Sequence, residues 1–169
     1  MNLSVISSIK GKDQLSITMV CLGNICRSPT AHAVFRQLAT TQGLPCEVES
    51  AGTSASHKGD APDPRSIKAA ADYSFKGIKS RPVLSTDFVE YDLILAMDQQ
   101  NLADLTKRCP PEQQHKLKLL MQYHPEYPKW QEVPDPYYGQ SEDFENVYQI
   151  VSRCAEEFLD FLVRTHGLQ

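Results

Sequence analysis

The stretch from Leu15 to Pro29 restricts this chain more than any other, because an apolar segment runs into a helix start across one short turn. Leu15 to Leu22 has strand length and carries the β-branched residues Ile17, Thr18 and Val20. Gly23 and Asn24 break it, since both tolerate backbone angles that β-branched residues avoid. Ser28 then reads as an N-cap with Pro29 at the first helical position. Ala31, Val34, Phe35 and Leu38 continue at helical spacing until Gly43. A strand that turns at once into a helix is the first half of a βαβ unit, and such units build parallel sheets.

The alternation repeats. Cys46 to Ser50 is a second short strand, and Asp63-Pro64 opens a helix through Ile67 and Ala70 that closes near Gly77. Tyr91 to Met97 is nearly all apolar, as a strand buried on both faces should be. Asp98 caps a helix carrying Leu102 and Leu105, and Pro110-Pro111 stops it. Leu117 to Met121 is the fourth strand, followed by a proline- and aromatic-rich loop from Gln122 to Gln140. A last helix starts at Ser141, with Glu142, Asp143 and Glu145 in its first turn and Arg164 and His166 before Gly167. Its stripe of Phe144, Val147, Tyr148, Val151, Ala155, Phe158 and Leu162 is expected to pack on a sheet. The fold class is α/β: an open four-stranded parallel sheet with helices on both faces, joined right-handedly. Ligands in such folds sit beyond the carboxyl ends of the strands, where the loop after Cys21 lies.

Charge and length narrow the rest. The 169 residues favour one domain over 15–169, preceded by a polar, mobile extension over 1–14. A formal net charge of −4 argues against a general nucleic-acid or anionic-membrane binder. The longest uninterrupted apolar run, Leu93 to Met97, is far short of the ~20 residues of a membrane-spanning helix. Val5 and Ile6 precede Lys10 and Lys12, the reverse of a signal peptide's order. Five cysteines without a C-x-x-C pair point to a reducing compartment, so a cytoplasmic protein is expected. The histidines (His32, His57, His115, His124, His166) show no metal-ligand spacing, and surface or helix-capping roles are expected for them. Neither metal nor cofactor is expected. Trp130 reads as a loop anchor.

The loop itself reads Cys21-Leu22-Gly23-Asn24-Ile25-Cys26-Arg27-Ser28. A turn between a strand and a helix N-terminus directs successive backbone N–H groups inward and makes an anion site. Arg27 adds a planar fork that can hold two phosphate oxygens. The same positive surroundings favour the thiolate of Cys21, and Ser28 can donate its hydroxyl to that sulfur. A nucleophile at the base of an oxyanion cradle is the chemistry this pattern supports.

Extended through Pro29, this loop resembles the signature of the low-molecular-weight protein tyrosine phosphatases, and the resemblance runs from Ile17 onward. Ser50-Ala51-Gly52-Thr53 resembles the family's second phosphate-loop support, while Pro62-Asp63-Pro64-Arg65 and Ala96-Met97-Asp98 fall in family order. Val133-Pro134-Asp135-Pro136-Tyr137-Tyr138 resembles its general-acid loop. The resemblance implies a flavodoxin-like, phosphatase I-like sheet and a cytoplasmic monomer or weak homodimer. It implies a phosphotyrosine-containing protein as substrate and hydrolysis through a cysteinyl-phosphate. In it Cys21 is nucleophile, Arg27 the phosphate clamp, and Asp135 first acid and then base. Asp98 orients Arg27; Leu22, Ile25, Tyr137 and Tyr138 wall the pocket; Gly23, Asn24, Cys26 and Ser28 complete the cradle. Asn24 is expected to brace the loop, partly through Ser50, and Cys26 to form a reversible disulfide with Cys21.

Two positions depart from the pattern. Ile78 stands where a histidine commonly joins the bracing network, and Ser56 where an aromatic commonly rims the pocket. Ile25 favours phosphotyrosine over phosphoarginine, because the related protein-arginine phosphatases typically carry threonine there. A thiol-dependent arsenate reductase would need further mobile cysteines close together, whereas Cys46, Cys109 and Cys154 are widely spaced. A silent phosphate-binding module would need neither a nucleophile nor an acid.

Overall fold

The computed structural model describes residues 14–166, so the expected extension falls outside the described residues apart from Gln14, as does Gly167. Four strands, β1 (Leu15–Cys21), β2 (Cys46–Gly52), β3 (Leu93–Ala96) and β4 (Leu117–Leu119), pair in parallel in the order β2-β1-β3-β4. The α-helices are α1 (Arg27–Thr41), α2 (Pro64–Ala69), α3 (Asp87–Glu90), α4 (Gln99–Arg108) and α5 (Ser141–His166). Among the described residues no helix is long and apolar enough to cross a membrane.

Strand alternation divides the core in two. Ile17, Met19, Leu93 and Leu95 face one side, where Val34 and Phe35 of α1 and Phe158 and Leu162 of α5 cover them. Val20, Ile94 and Ala96 face the other, against Phe88 of α3 and Leu105 of α4. The expected stripe of α5 is buried at Phe144, Val147, Val151, Ala155, Phe158 and Leu162 and only half-buried at Tyr148. It packs on α1 as well as on the sheet: the Phe158 ring lies 5.7 Å from Phe35 and edge-on to Tyr123 at 4.8 Å.

The second strand runs on to Gly52 and the third is confined to Leu93–Ala96, and three other boundaries depart further from the sequence reading. Helix α1 opens at Arg27, so Cys26 rather than Ser28 is the residue before it, and no side chain caps it. The reason is chemical: the Ser28 hydroxyl is held by Asn24 and Cys21 and is not available to the helix end. Helix α2 ends at Ala69, well before Gly77, and the chain continues in turns closed by Tyr73 N–H to the Ala70 carbonyl and Ile78 N–H to that of Phe75. The fourth strand stops at Leu119, where a 3₁₀ turn (Leu120–Tyr123) begins.

Gly52 closes β2 opposite Cys21 and is pinned on both sides, donating to the Arg81 carbonyl and accepting from Val83 N–H, each at 2.8 Å. A Cβ added there would lie 2.7 Å from the Leu22 carbonyl oxygen, so only glycine lets β2 press this closely on the loop. Gly52→Ala is therefore expected to lower stability by about 2 kcal/mol in chemical denaturation and to reduce hydrolysis of an aryl phosphate in the folded fraction.

Candidate active site

The carboxyl end of β1 delivers Cys21, which is 3% exposed, to the floor of a cavity of about 250 Å³. Its sulfur lies 3.0 Å from the Ser28 hydroxyl and accepts the Asn24 backbone N–H at 3.3 Å. The Asn24 side-chain amide donates to the Ser28 oxygen at 2.7 Å. With its oxygen accepting that bond, Ser28 can direct its own proton to the sulfur at 3.0 Å, the Ala51 carbonyl being a longer alternative at 3.5 Å. Two donors aimed at one sulfur suit a thiolate, which only accepts. Asn24 holds this arrangement with a positive φ of 55°, a conformation asparagine tolerates better than most residues. Its Oδ1 accepts from Arg81 N–H at 3.1 Å.

The expected bond from Asn24 to Ser50 does not form. Ser50 instead pairs with Nδ1 of His32 at 2.8 Å, and the loop is braced by Arg81 and by Ser80, whose hydroxyl donates to the Gly23 carbonyl at 2.8 Å. Ile78, a departure from the family pattern, is buried and apolar. His32 is 4% exposed and so departs from the surface role expected of the histidines. Burial, with the charges of Arg36 and Arg81 nearby, pushes its pKa down to about 3.

Arg27, first residue of α1, is 3% exposed. Its NH1 donates to Asp98 Oδ2 at 2.6 Å and to the Val133 carbonyl at 3.0 Å, while NH2 is 3.8 Å from Asp135 Oδ2. Burial opposes its charge, but Cys21 and Asp98 outweigh that and hold its pKa above the ordinary arginine value. Asp98 fills both roles foreseen for it through separate oxygens, since Oδ1 caps α4 by accepting from Asn101 N–H at 2.7 Å. Val133 ties the acid loop to the sheet from both sides, donating its N–H to the Met97 carbonyl at 2.8 Å. Two residues on, Asp135 accepts from Tyr137 N–H through Oδ1 at 3.1 Å, leaving Oδ2 toward Arg27.

The walls are Leu22, Ile25, Tyr137 and Tyr138, with the two tyrosine rings edge to face at 4.8 Å. Leu22 is 51% and Tyr138 95% exposed, so both form the rim rather than the interior. Ser56 and His57 line the cavity too. Cys26 reaches the cavity wall, but its thiol points to Asp63 Oδ2 at 3.8 Å, and burial with the Asp63 charge pushes its pKa up to about 12. Asp63 is itself paired with Arg65, whose guanidinium lies over the Phe144 ring at 4.4 Å. Sequence reasoning gave no site role to His32, His57, Asp63, Ser80 or Arg81. Asp63 had a visible signal as the N-cap of α2, whereas its contact with Cys26 spans 37 positions and had none.

A second cavity of about 550 Å³ lies behind the acid loop, with Pro134, Met121, Ile150 and Trp130 in its lining. Trp130 is 53% exposed and carries Lys129 over its ring at 5.5 Å, so it does not anchor the loop as expected.

Two outcomes follow for stability. Asp98→Ala uncaps α4 and strands a buried guanidinium, and should cost about 3 kcal/mol in denaturant unfolding. Below its ordinary value of 6.5, His32 takes up a proton in the unfolded chain but not in the folded one until about 3. Stability therefore falls as pH drops through that window, and His32→Gln should flatten this part of the acid-unfolding profile.

The low molecular weight phosphotyrosine protein phosphatase profile matches residues 16–167. Proteins of that name from Sus scrofa and Homo sapiens are 40% and 41% identical over 150 residues, covering 86% of this chain and 94% of each relative. A protein tyrosine phosphatase structure from Entamoeba histolytica superposes with a TM-score of 0.83 at 37% identity, over 89% of this chain and 98% of that one. The YwlE arginine phosphatase, as a mutant with a phosphorylated active site serine, gives 0.82 at 25% identity, over 92% of this chain and 100% of its own. The chain belongs to the low molecular weight phosphotyrosine protein phosphatase family.

Proposed function

We propose that Cys21, Arg27 and Asp135 carry out the hydrolysis of phosphotyrosine in this family member by a two-step route. In the first step the Cys21 thiolate attacks phosphorus, the S–P bond forms as the P–O bond to the phenol breaks, and Asp135 protonates the departing oxygen. Arg27 and the loop amides hold the equatorial oxygens as charge redistributes. In the second step water attacks phosphorus, Asp135 takes its proton, and the sulfur leaves with the Ser28 hydroxyl bonded to it. Asp98 and Val133 keep the Arg27 fork oriented through both steps.

The observation that carries this reading is the convergence on one sulfur of two donors, from Ser28 and Asn24, with Arg27 NH2 3.8 Å from the Asp135 carboxylate in the same cavity. The pocket walls favour a flat aromatic ester, since Ile25 and Tyr137 offer apolar surface on which a phenyl ring can lie. Superposition alone does not separate phosphotyrosine from phosphoarginine; Ile25 does, because its apolar side chain gives a guanidinium no acceptor. The substrate is a tyrosine-phosphorylated protein. A cytoplasmic setting accords with the five free thiols.

Cys21→Ser should abolish turnover of an aryl phosphate, and acid quenching of the wild-type enzyme during turnover should trap phosphate on Cys21. Asp135→Ala should slow turnover by about 10²–10⁴-fold, most for leaving groups of high pKa and least for nitrophenol. Retained activity in Cys21→Ser would overturn the mechanism.

A further inference from the structure

His57 stands at the mouth of the cavity and takes no part in the two-step route. Its Nδ1 lies 3.1 Å from Asp60 Oδ2. A carboxylate only accepts, so Nδ1 carries a hydrogen, and every change of protonation falls on Nε2. Neutral, Nε2 presents a lone pair; protonated, it presents an N–H and a positive charge.

The imidazole is held firmly for a rim residue. Asp60 N–H donates to the His57 carbonyl at 2.8 Å, and the Asp60 carbonyl accepts from Ser80 N–H at 2.9 Å. Ser80 in turn bonds the Gly23 carbonyl at 2.8 Å, so the ring hangs from the same support as the phosphate loop. A Cβ on Gly23 would come within 3.0 Å of the His57 ring, and the Tyr137 ring faces it at 6.3 Å.

The charged and titratable groups around it are few. Asp60 faces it from its own turn and Tyr137 from the acid loop; Gly23 brings no charge from the phosphate loop. Cys21 and Arg27 lie at the buried floor of the cavity, Asp135 and the tyrosines share its lining with His57, and the Arg65 guanidinium stands 5.7 Å over the Tyr137 ring. Histidine is the side chain that switches charge between about pH 5 and 8. His57 shares the cavity lining with Tyr137 and Tyr138, so a residue next to a seated phosphotyrosine has it within reach.

We propose that His57 is a specificity-determining residue, whose Nε2 selects an acidic residue next to phosphotyrosine when protonated and loses that selectivity when neutral. The proposal rests on the phosphotyrosine reading above. Three phosphopeptides test it, identical except for Glu, Gln or Lys beside phosphotyrosine, assayed at about pH 5.5 and about pH 7.5. Each variant is normalised to its own turnover of nitrophenyl phosphate. The Glu peptide should exceed the Gln peptide by about fivefold in kcat/KM at the lower pH and by less than about twofold at the higher, the difference lying in KM. The Lys peptide should be disfavoured at the lower pH. His57→Gln should give one Glu-to-Gln ratio at both pH values. A ratio that does not change with pH in the wild type, or that still changes with pH in His57→Gln, overturns the assignment of His57 alone. Failure to hydrolyse any of the phosphopeptides overturns the phosphotyrosine reading, and the assignment with it.

Discussion

The guanidinium of Arg27 has almost no solvent contact, and an isolated cation in such a position would be too costly to keep. What makes it tolerable is drawn from three parts of the chain that are far apart in sequence. Asp98 comes from the turn between β3 and α4, the Val133 carbonyl from the acid loop, and the Cys21 sulfur from the end of β1. Each of these groups is also a working part of the site. Neutralising the charge and assembling the groups proposed to be catalytic are therefore the same event, and the parallel sheet contributes by bringing its carboxyl ends to one edge.

Two cysteines five positions apart show how strongly local surroundings separate like groups. Cys21 receives hydrogen bonds, whereas Cys26 gives one to a carboxylate and sits in an environment that resists ionisation. Burial is the larger cause of that resistance and the Asp63 charge adds to it. The two sulfurs also differ in what they face: hydroxyl and amide groups for Cys21, the Asp63 carboxylate for Cys26. One loop thus offers hydrogen-bonding groups to one thiol and a carboxylate to the next.

Much of this was legible in the chain. The strand-turn-helix of Leu15 to Leu38 and the apolar run ending at Met97 gave the sheet, because period and punctuation are local properties. Cys21, Arg27, Ser28, Asp98 and Asp135, singled out through motif and resemblance, meet in one cavity or brace it. What escaped was pairing at long range. That Ser50 bonds His32, that Arg81 supports Asn24, and that Asp63 holds Cys26 are facts of packing between elements, carried by no spacing rule. The N-terminus of α1 was misplaced for a related reason: the serine that looked like a cap serves a sulfur seven residues away.

The lone tryptophan of the chain sits in the lining of the cavity behind Pro134, one residue before the acid. An indole's emission depends on its contact with water and with neighbouring charges, and here Lys129 lies over its ring. Displacement of Pro134 changes the cavity that the indole lines. The unlabelled protein consequently carries its own optical gauge of where the proposed proton donor stands.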